Sequence, residues 1–298
     1  MALFVTFLWS TSWVLIKVGL TDIPPLFFAG LRYAMAAVLL LPFLLRKNQR
    51  HSIVSLTARD WLQLGVLGLF FYTLTQGSSF VGLAYLRPAT LSLILSFTPI
   101  LVALAAIPLL KEQPSLLQWG GVVVYLTGAG LYLLPAGVGM GPAIGVAAAI
   151  VGLIANTTSS ILGRHINRDR RHSALLVTGI SMLIGAGVLL GAGIAIEGLH
   201  PLSLQSWAII GWLAVVNTAF AFTLWNVTLR SLSAMESSII NNTMLVQIAL
   251  LAWICLGEAL TWLEILGVIL AAAGATIAQI HRKADVSTDS MTKRTAST

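Results

Sequence analysis

Ten apolar stretches recur along the chain, each of about 19 to 24 residues and so long enough for one helical crossing of a bilayer's hydrocarbon core. They cover residues 2–20, 25–45, 61–82, 88–110, 115–135, 141–163, 174–196, 206–229, 235–256 and 262–281. Hydrocarbon offers the backbone no water, so segments of this length must close their own hydrogen bonds as helices. The pattern predicts an all-α membrane protein with ten transmembrane helices. Of 298 residues only 9% are charged, against about 25% in soluble domains. The first run starts at Ala2 with no small-residue cleavage site behind it, and reads as a retained helix rather than a signal peptide. Residues 282–298 are polar and aperiodic, which predicts a disordered tail.

The formal net charge of +7 invites comparison with nucleic-acid binders, but those cluster their cations on a solvated face. Here the cations sit in short loops between apolar runs. With the N-terminus inside, the inner loops and tail collect 14 of the 17 Lys and Arg residues, from Arg46 to Arg294. The outer loops hold only Arg87, and Lys17 and Arg32 fall within spans. The positive-inside rule then places both termini in the cytoplasm of a multi-pass protein of the cell (inner) membrane. A single cysteine, Cys255, excludes an internal disulfide and any cysteine metal cluster.

A shift of about 146 residues superposes part of the chain on itself. Ser92, Ile94, Ala103, Leu104, Glu112, Gly121 and Gly128 fall on Ser238, Ile240, Ala249, Leu250, Glu258, Gly267 and Gly274. The unit holds five spans. Five is odd, so the two copies enter the membrane in opposite senses, an inverted repeat of the kind many secondary transporters use to exchange two conformations.

The stretches "LWSTSWVLIK", "PPLFFAGLRYAMAAVLLLP" and "GLAYLRPATLSLILSFTPILVALAAIPLLKEQPSLLQWGGVVVYLTGAGLYL" resemble the first half of an EamA-type carrier of the drug/metabolite transporter superfamily. "FAFTLWNVTLRSLSAMESSIINNTMLVQIALLAWICLGEALTWLEILGVILAAAGA" resembles its second half. The resemblance implies two EamA-like five-helix repeats, residues 1–136 and 137–281, and a carrier of small metabolites, often amino acids, usually moved outward. One departure stands out. The family often has a proline in the fourth helix of both halves; Pro99 fits, while its counterpart is Leu245.

Polar residues inside the runs are candidates for a cavity lining. Ser237, Ser238, Asn241 and Asn242 form one stripe on the ninth helix, with Gln247 off it. Such amides either bond neighbouring helices or face a wet cavity, and two adjacent amides favour the cavity. Tyr72, Thr75, Gln76 and Ser79 share a face of the third helix by their spacing, as do Ser92, Ser96 and Pro99 on the fourth. Pro99 breaks one helical hydrogen bond and marks either a hinge or a static kink. Trp9, Trp13, Trp225, Asn226 and Asn156 extend the candidate lining. Arg32 lies about eight residues into its helix, where it needs a partner or a wet cavity, and many family members are similar in carrying arginine there. Lys17 is placed to snorkel to water.

The acidic residues read as structural. "SAME" at 233–236 and "TWLE" at 261–264 are capping boxes, and "SLLQ" at 115–118 matches the latter. Glu112 and Glu258 occupy equivalent helix ends. Gly187 and Gly191 form a GxxxG, the signature of close helix packing.

These features predict a secondary transporter that exports amino acids or related zwitterionic or anionic metabolites. A carrier of lipid-linked or sugar-linked metabolites is the alternative. An intramembrane enzyme would need a metal motif or a serine–histidine pair, and neither is present in the sequence. The expected partners are a small-molecule substrate and the lipid bilayer, with no cofactor and no nucleic acid. A coupling ion and a homodimer are compatible with this reading.

Overall fold

The computed structural model describes residues 1–98, 100–101, 104–105, 116–133, 142–168, 172–221, 224, 234–258 and 260–280. Of these, side chains at 47–48, 50–51, 118, 133, 164, 167–168, 234–239, 241–242 and 278–280 are not described. Among the described residues the secondary structure is helical throughout, with no strand. The helices are α1 (Ala2–Gly19), α2 (Pro25–Leu44), α3 (Lys47–Val54), α4 (Ala58–Tyr85), α5 (Pro88–Leu95) and α6 (Leu116–Leu133). There follow α7 (Ala143–Arg168), α8 (Ala174–Glu197), α9 (Leu204–Phe220), α10 (Ala234–Leu256) and α11 (Trp262–Ile280). Five described stretches are long and apolar enough to cross a bilayer alone: α1, α2, α4, α8 and Ala143–Gly163 of α7.

Local chemistry explains where the helices start and stop. Pro25 opens α2 and Pro88 opens α5, each at a position whose missing N–H has no partner to lose. Thr57 and Asp60 form a capping box at the head of α4, and Thr261 and Glu264 form one at the head of α11, as expected for "TWLE". Ser115 and Ser233, which open the other two proposed boxes, lie outside the described residues. Gly198 (φ 84°) closes α8 and Gly257 (φ 66°) follows α10, both left-handed conformations that favour glycine. Glu197, at the end of α8, accepts from the free amides of Leu26 (3.1 Å) and Phe27 (2.7 Å), supplying the cap that α2 lacks.

Two features depart from the expected runs. The fourth run is not one continuous helix: α5 ends at Leu95, and Ser96 turns out of it. Pro99 itself lies outside the described residues. The carbonyls left at the break are taken by hydroxyls, Thr98 Oγ1 on Leu95 O (2.7 Å) and both Ser96 Oγ (2.8 Å) and Tyr125 Oη (2.7 Å) on Leu93 O. In addition, α4 is π-helical over Leu69–Gln76 and α9 over Leu213–Phe220. In each, a threonine hydroxyl reaches back five residues: Thr75 to Phe70 O (2.8 Å) and Thr218 to Leu213 O (2.9 Å).

Glycines set the closest contacts. A side chain at Gly30 would strike the backbone of Leu190, and one at Gly193 the backbone of Phe27, so α2 and α8 lie antiparallel and almost touching. Gly128 faces Gly267 and Ala271, and Gly274 faces Tyr125, which locks α6 against α11 in the same manner. Gly187 and Gly191 correct an expectation: nothing lies within 4 Å of where their side chains would be. They point away from the α2–α8 seam, which uses Gly193 instead. The outer surface carries large exposed apolar side chains, among them Phe4, Val38, Trp61, Ile154 and Trp253, as a lipid-facing wall requires.

Candidate functional site

A cavity of about 590 Å³ lies at the centre of the helices. Its wall draws on α1, α2, α4, α5, α7, α9, α10 and α11, so no single element makes it. Of the residues singled out from the sequence, Trp9 and Trp13 on α1, Arg32 on α2, and Gln76 and Ser79 on α4 line it. Thr75 on α4, Ser92 on α5, Ser96 just past it and Asn156 on α7 line it as well. Tyr72 does not line it. Its ring is buried against Tyr33 (5.8 Å between centroids) and Phe71 (4.9 Å). The expected face assumed α-helical spacing from Tyr72 to Ser79, and the wider turns of the π segment rotate Tyr72 out of that face. Pro99, Trp225 and Asn226 lie outside the described residues, as do the side chains of Asn241 and Asn242.

The wall is polar in a defined way. Asn156 Nδ2 donates to Thr98 Oγ1 (3.1 Å), whose hydroxyl covers the open carbonyl of Leu95. Ser96 Oγ shares a 2.7 Å bond with Tyr125 Oη. Arg32 is only 4% exposed, its Nη2 donates to Thr218 Oγ1 (3.3 Å), and its guanidinium stands over the rings of Tyr33 (5.1 Å) and Phe80 (5.9 Å). None of the described lining residues is acidic. A buried cation is thus held by a hydroxyl and ring faces, with no carboxylate among the described residues to neutralise it.

The residue that sequence reading passed over is Asn217. It is fully buried, sits in the π segment of α9, and lines the cavity. Its Nδ2 donates to Leu8 O and to Thr11 Oγ1 (3.3 Å), and its backbone carbonyl accepts from Trp9 Nε1 (3.1 Å). Among the described residues its Oδ1 has no hydrogen-bond partner, and neither has Arg32 Nε. Each unpaired buried atom costs about 1–3 kcal/mol. A lone amide in the apolar run "LAVVNTAF" is the signal the sequence offers for it.

Away from the cavity, at the α5 N-terminus, Arg87 pairs with Glu264 (Nη1–Oε1 2.7 Å) and Glu258 (Nε–Oε2 3.4 Å). Glu264 is therefore more than a cap. Burial pushes the Glu258 carboxyl above its ordinary value, against the pull of Arg87 and Lys17. Lys17 is only partly exposed. Its Nζ donates to the last carbonyls of α4 and its cap, Leu83 O (2.6 Å) and Leu86 O (3.0 Å). Gln247, expected off the polar stripe, ties α10 to α1 through Ser10 (3.0 Å) and Thr6 (3.3 Å).

The model of the EamA-like transporter family matches residues 1–134 and 143–279. The chain belongs to this family. It is a multi-pass membrane transporter of the drug/metabolite superfamily. Transporters similar to this chain match it over most of their length. An uncharacterized transporter of Bacillus subtilis, YoaV, is 26% identical over 278 residues, 91% of this chain and 92% of its own. An S-adenosylmethionine/S-adenosylhomocysteine transporter of Chlamydia muridarum is 28% identical over 276 residues, 87% and 85% of the two chains. A solved protein crystal structure, 18% identical, superposes with a TM-score of 0.65 over 94% of this chain and 96% of its own, which shows a shared fold.

Proposed function

We propose that this EamA-family transporter is a ten-helix inverted-repeat carrier that exports small zwitterionic or anionic metabolites, amino acids and related compounds among them, by alternating access. The observation that carries the substrate class is the central cavity: a buried arginine lines it, and no described lining residue is acidic. Such a potential favours a carboxylate and repels organic cations. The volume of about 590 Å³ falls within the roughly 300–1,000 Å³ typical of small-molecule sites. Of the two compounds named for the Chlamydia muridarum relative, S-adenosylhomocysteine is a zwitterionic amino acid, while S-adenosylmethionine adds a sulfonium cation to the same group.

Inverted symmetry is supported by two structural pairings and one recurrence. The close antiparallel pairs α2–α8 and α6–α11 each join helices at corresponding places in the two halves. The π segments begin at Leu69 and Leu213, 144 residues apart, close to the sequence repeat of about 146. On the positive-inside orientation, the Arg87–Glu258–Glu264 cluster lies at the outer end and links the two halves.

Efflux from preloaded liposomes containing the purified protein tests the reading. The load is a labelled panel of L-amino acids, S-adenosylmethionine, S-adenosylhomocysteine and small carboxylates. At least one carboxylate-bearing compound should leave faster than from protein-free liposomes. Release of none of them would overturn the proposal.

A further inference from the structure

The ions around Arg87 join parts of the chain that are distant in sequence. Arg87 precedes α5, in the first family-matched segment, whereas Glu258 follows α10 and Glu264 lies in the first turn of α11, in the second. They also stand next to the cavity. Leu83 lines it, and Lys17 Nζ holds both the Leu83 carbonyl (2.6 Å) and that of Leu86, the neighbour of Arg87. Three helices run in the same order from the charges to the cavity wall. Ala89 separates Arg87 from Ser92 on α5, Ala249 separates Glu258 from Ile248 on α10, and Val268 and Ala271 separate Glu264 from Ala272 on α11. These four apolar residues are buried and pack into one layer. Parting α5 from α10 and α11 would open that layer and break the Arg87 pairs together.

The two carboxylates are built for different tasks. Glu264 meets Arg87 at 2.7 Å and is fixed on its other oxygen by the amide (2.7 Å) and hydroxyl (3.0 Å) of Thr261. Glu258 meets Arg87 only at 3.4 Å. Among the described residues, the charged or titratable groups acting on it are Arg87, Lys17 on α1, Glu264 on α11 and Tyr132 on α6.

We propose that this cluster is the outer latch of the transport cycle, in which Arg87 and Glu264 hold α5 to α11 and a proton on Glu258 favours closure. The proposal rests on the alternating-access reading and names the residues that hold one of its two states. Burial raises the Glu258 carboxyl in the closed state, and opening to water returns it to its ordinary value of about 4.5. The closed state therefore binds the proton more tightly, and closure weakens as the outer pH rises.

The experiment follows the reaction of Ser79→Cys, in the cavity wall, with an impermeant sulfonate thiol reagent. The full chain is used in a Cys255→Ser background, in intact cells for the outer side and inverted vesicles for the inner. Leu199→Cys, at an exposed position, is the reference that corrects for thiol ionisation. Arg87→Gln and Glu264→Gln should each raise the outer rate about fivefold, the ratio that losing one part-exposed ion pair gives. Glutamine also serves in a capping box, so Glu264→Gln keeps the head of α11. Raising the outer pH from about 5 to about 8 should speed the parent relative to the reference, and Glu258→Gln should abolish that rise. Outer rates that are equal in the parent, Arg87→Gln and Glu264→Gln overturn the latch, even where thermal stability falls. Alternating access survives that result when the cysteine still reacts from both sides. A Glu258→Gln protein that reacts as fast as Glu264→Gln overturns the role of the proton. Reaction from one side only, in parent and variants alike, overturns alternating access itself and the latch with it.

Discussion

At Arg87 one guanidinium faces two carboxylates, and the two are not equivalent. Glu264 sits at 2.7 Å with its other oxygen in the capping box, whereas Glu258 sits at 3.4 Å with its carboxyl pushed above the ordinary value by burial. A carboxyl with a raised folded-state value binds its proton more tightly folded than unfolded. Its stabilising contribution is full below the unfolded value of about 4.5 and is lost as pH rises through the folded value. Glu258→Gln removes that loss, so its thermal stability relative to the parent should improve as pH is raised from 4 towards 8. A parent that gains on the variant over that interval would contradict the sign. Arg87→Gln should behave oppositely and destabilise by about 1–2 kcal/mol at pH 7, a value discounted because the Arg87 side chain is 36% exposed. Individual residues were only partly legible from the sequence. The capping box at Thr261 follows from local spacing, but its second task on Arg87 depends on a residue 177 positions away, which no local pattern encodes. Tyr72 was misplaced because α-helical geometry was assumed where the chain adopts π.

At the level of helices, the glycine contacts separate two kinds of seam. Gly128→Ala places a methyl against the Gly267 carbonyl at 2.6 Å and against the Ala271 backbone, and should destabilise by about 1–3 kcal/mol. Gly187→Ala and Gly191→Ala meet nothing within 4 Å and should be neutral or stabilising by up to about 1 kcal/mol through helix propensity. Thermal unfolding in detergent distinguishes these outcomes, and a destabilised Gly187→Ala would show a contact missing from this account. The break after α5 makes a second prediction. Tyr125→Phe removes a bond to Leu93 O and one to Ser96, and should cost about 1–2 kcal/mol. That a break occurs near Pro99 was legible in the sequence. That Thr98, Ser96 and Tyr125 would cover its carbonyls was not, because the tyrosine arrives from α6.

Across the whole molecule, the orientation proposed from the positive-inside distribution is open to a direct test. In a Cys255→Ser background, a cysteine at Ser52 should react in intact cells only with membrane-permeant thiol reagents. One at Leu199 should also react with impermeant reagents, and the reverse pattern would invert the orientation. Apolar run length made the helical membrane class legible, since a bilayer admits few alternatives. The cavity was legible residue by residue on α1, α2, α4 and α7, but its closure by Asn217 was not, because one amide in an apolar run carries no pattern. The central claim is that a carboxylate-tolerant, cation-repelling cavity carries the substrate. Its most direct test is uptake into protein-containing liposomes of alanine, lysine methyl ester and a quaternary ammonium compound, measured side by side. This account predicts that the zwitterion enters faster than either cation. Fast entry of the quaternary cation, with none of the zwitterion, would contradict it.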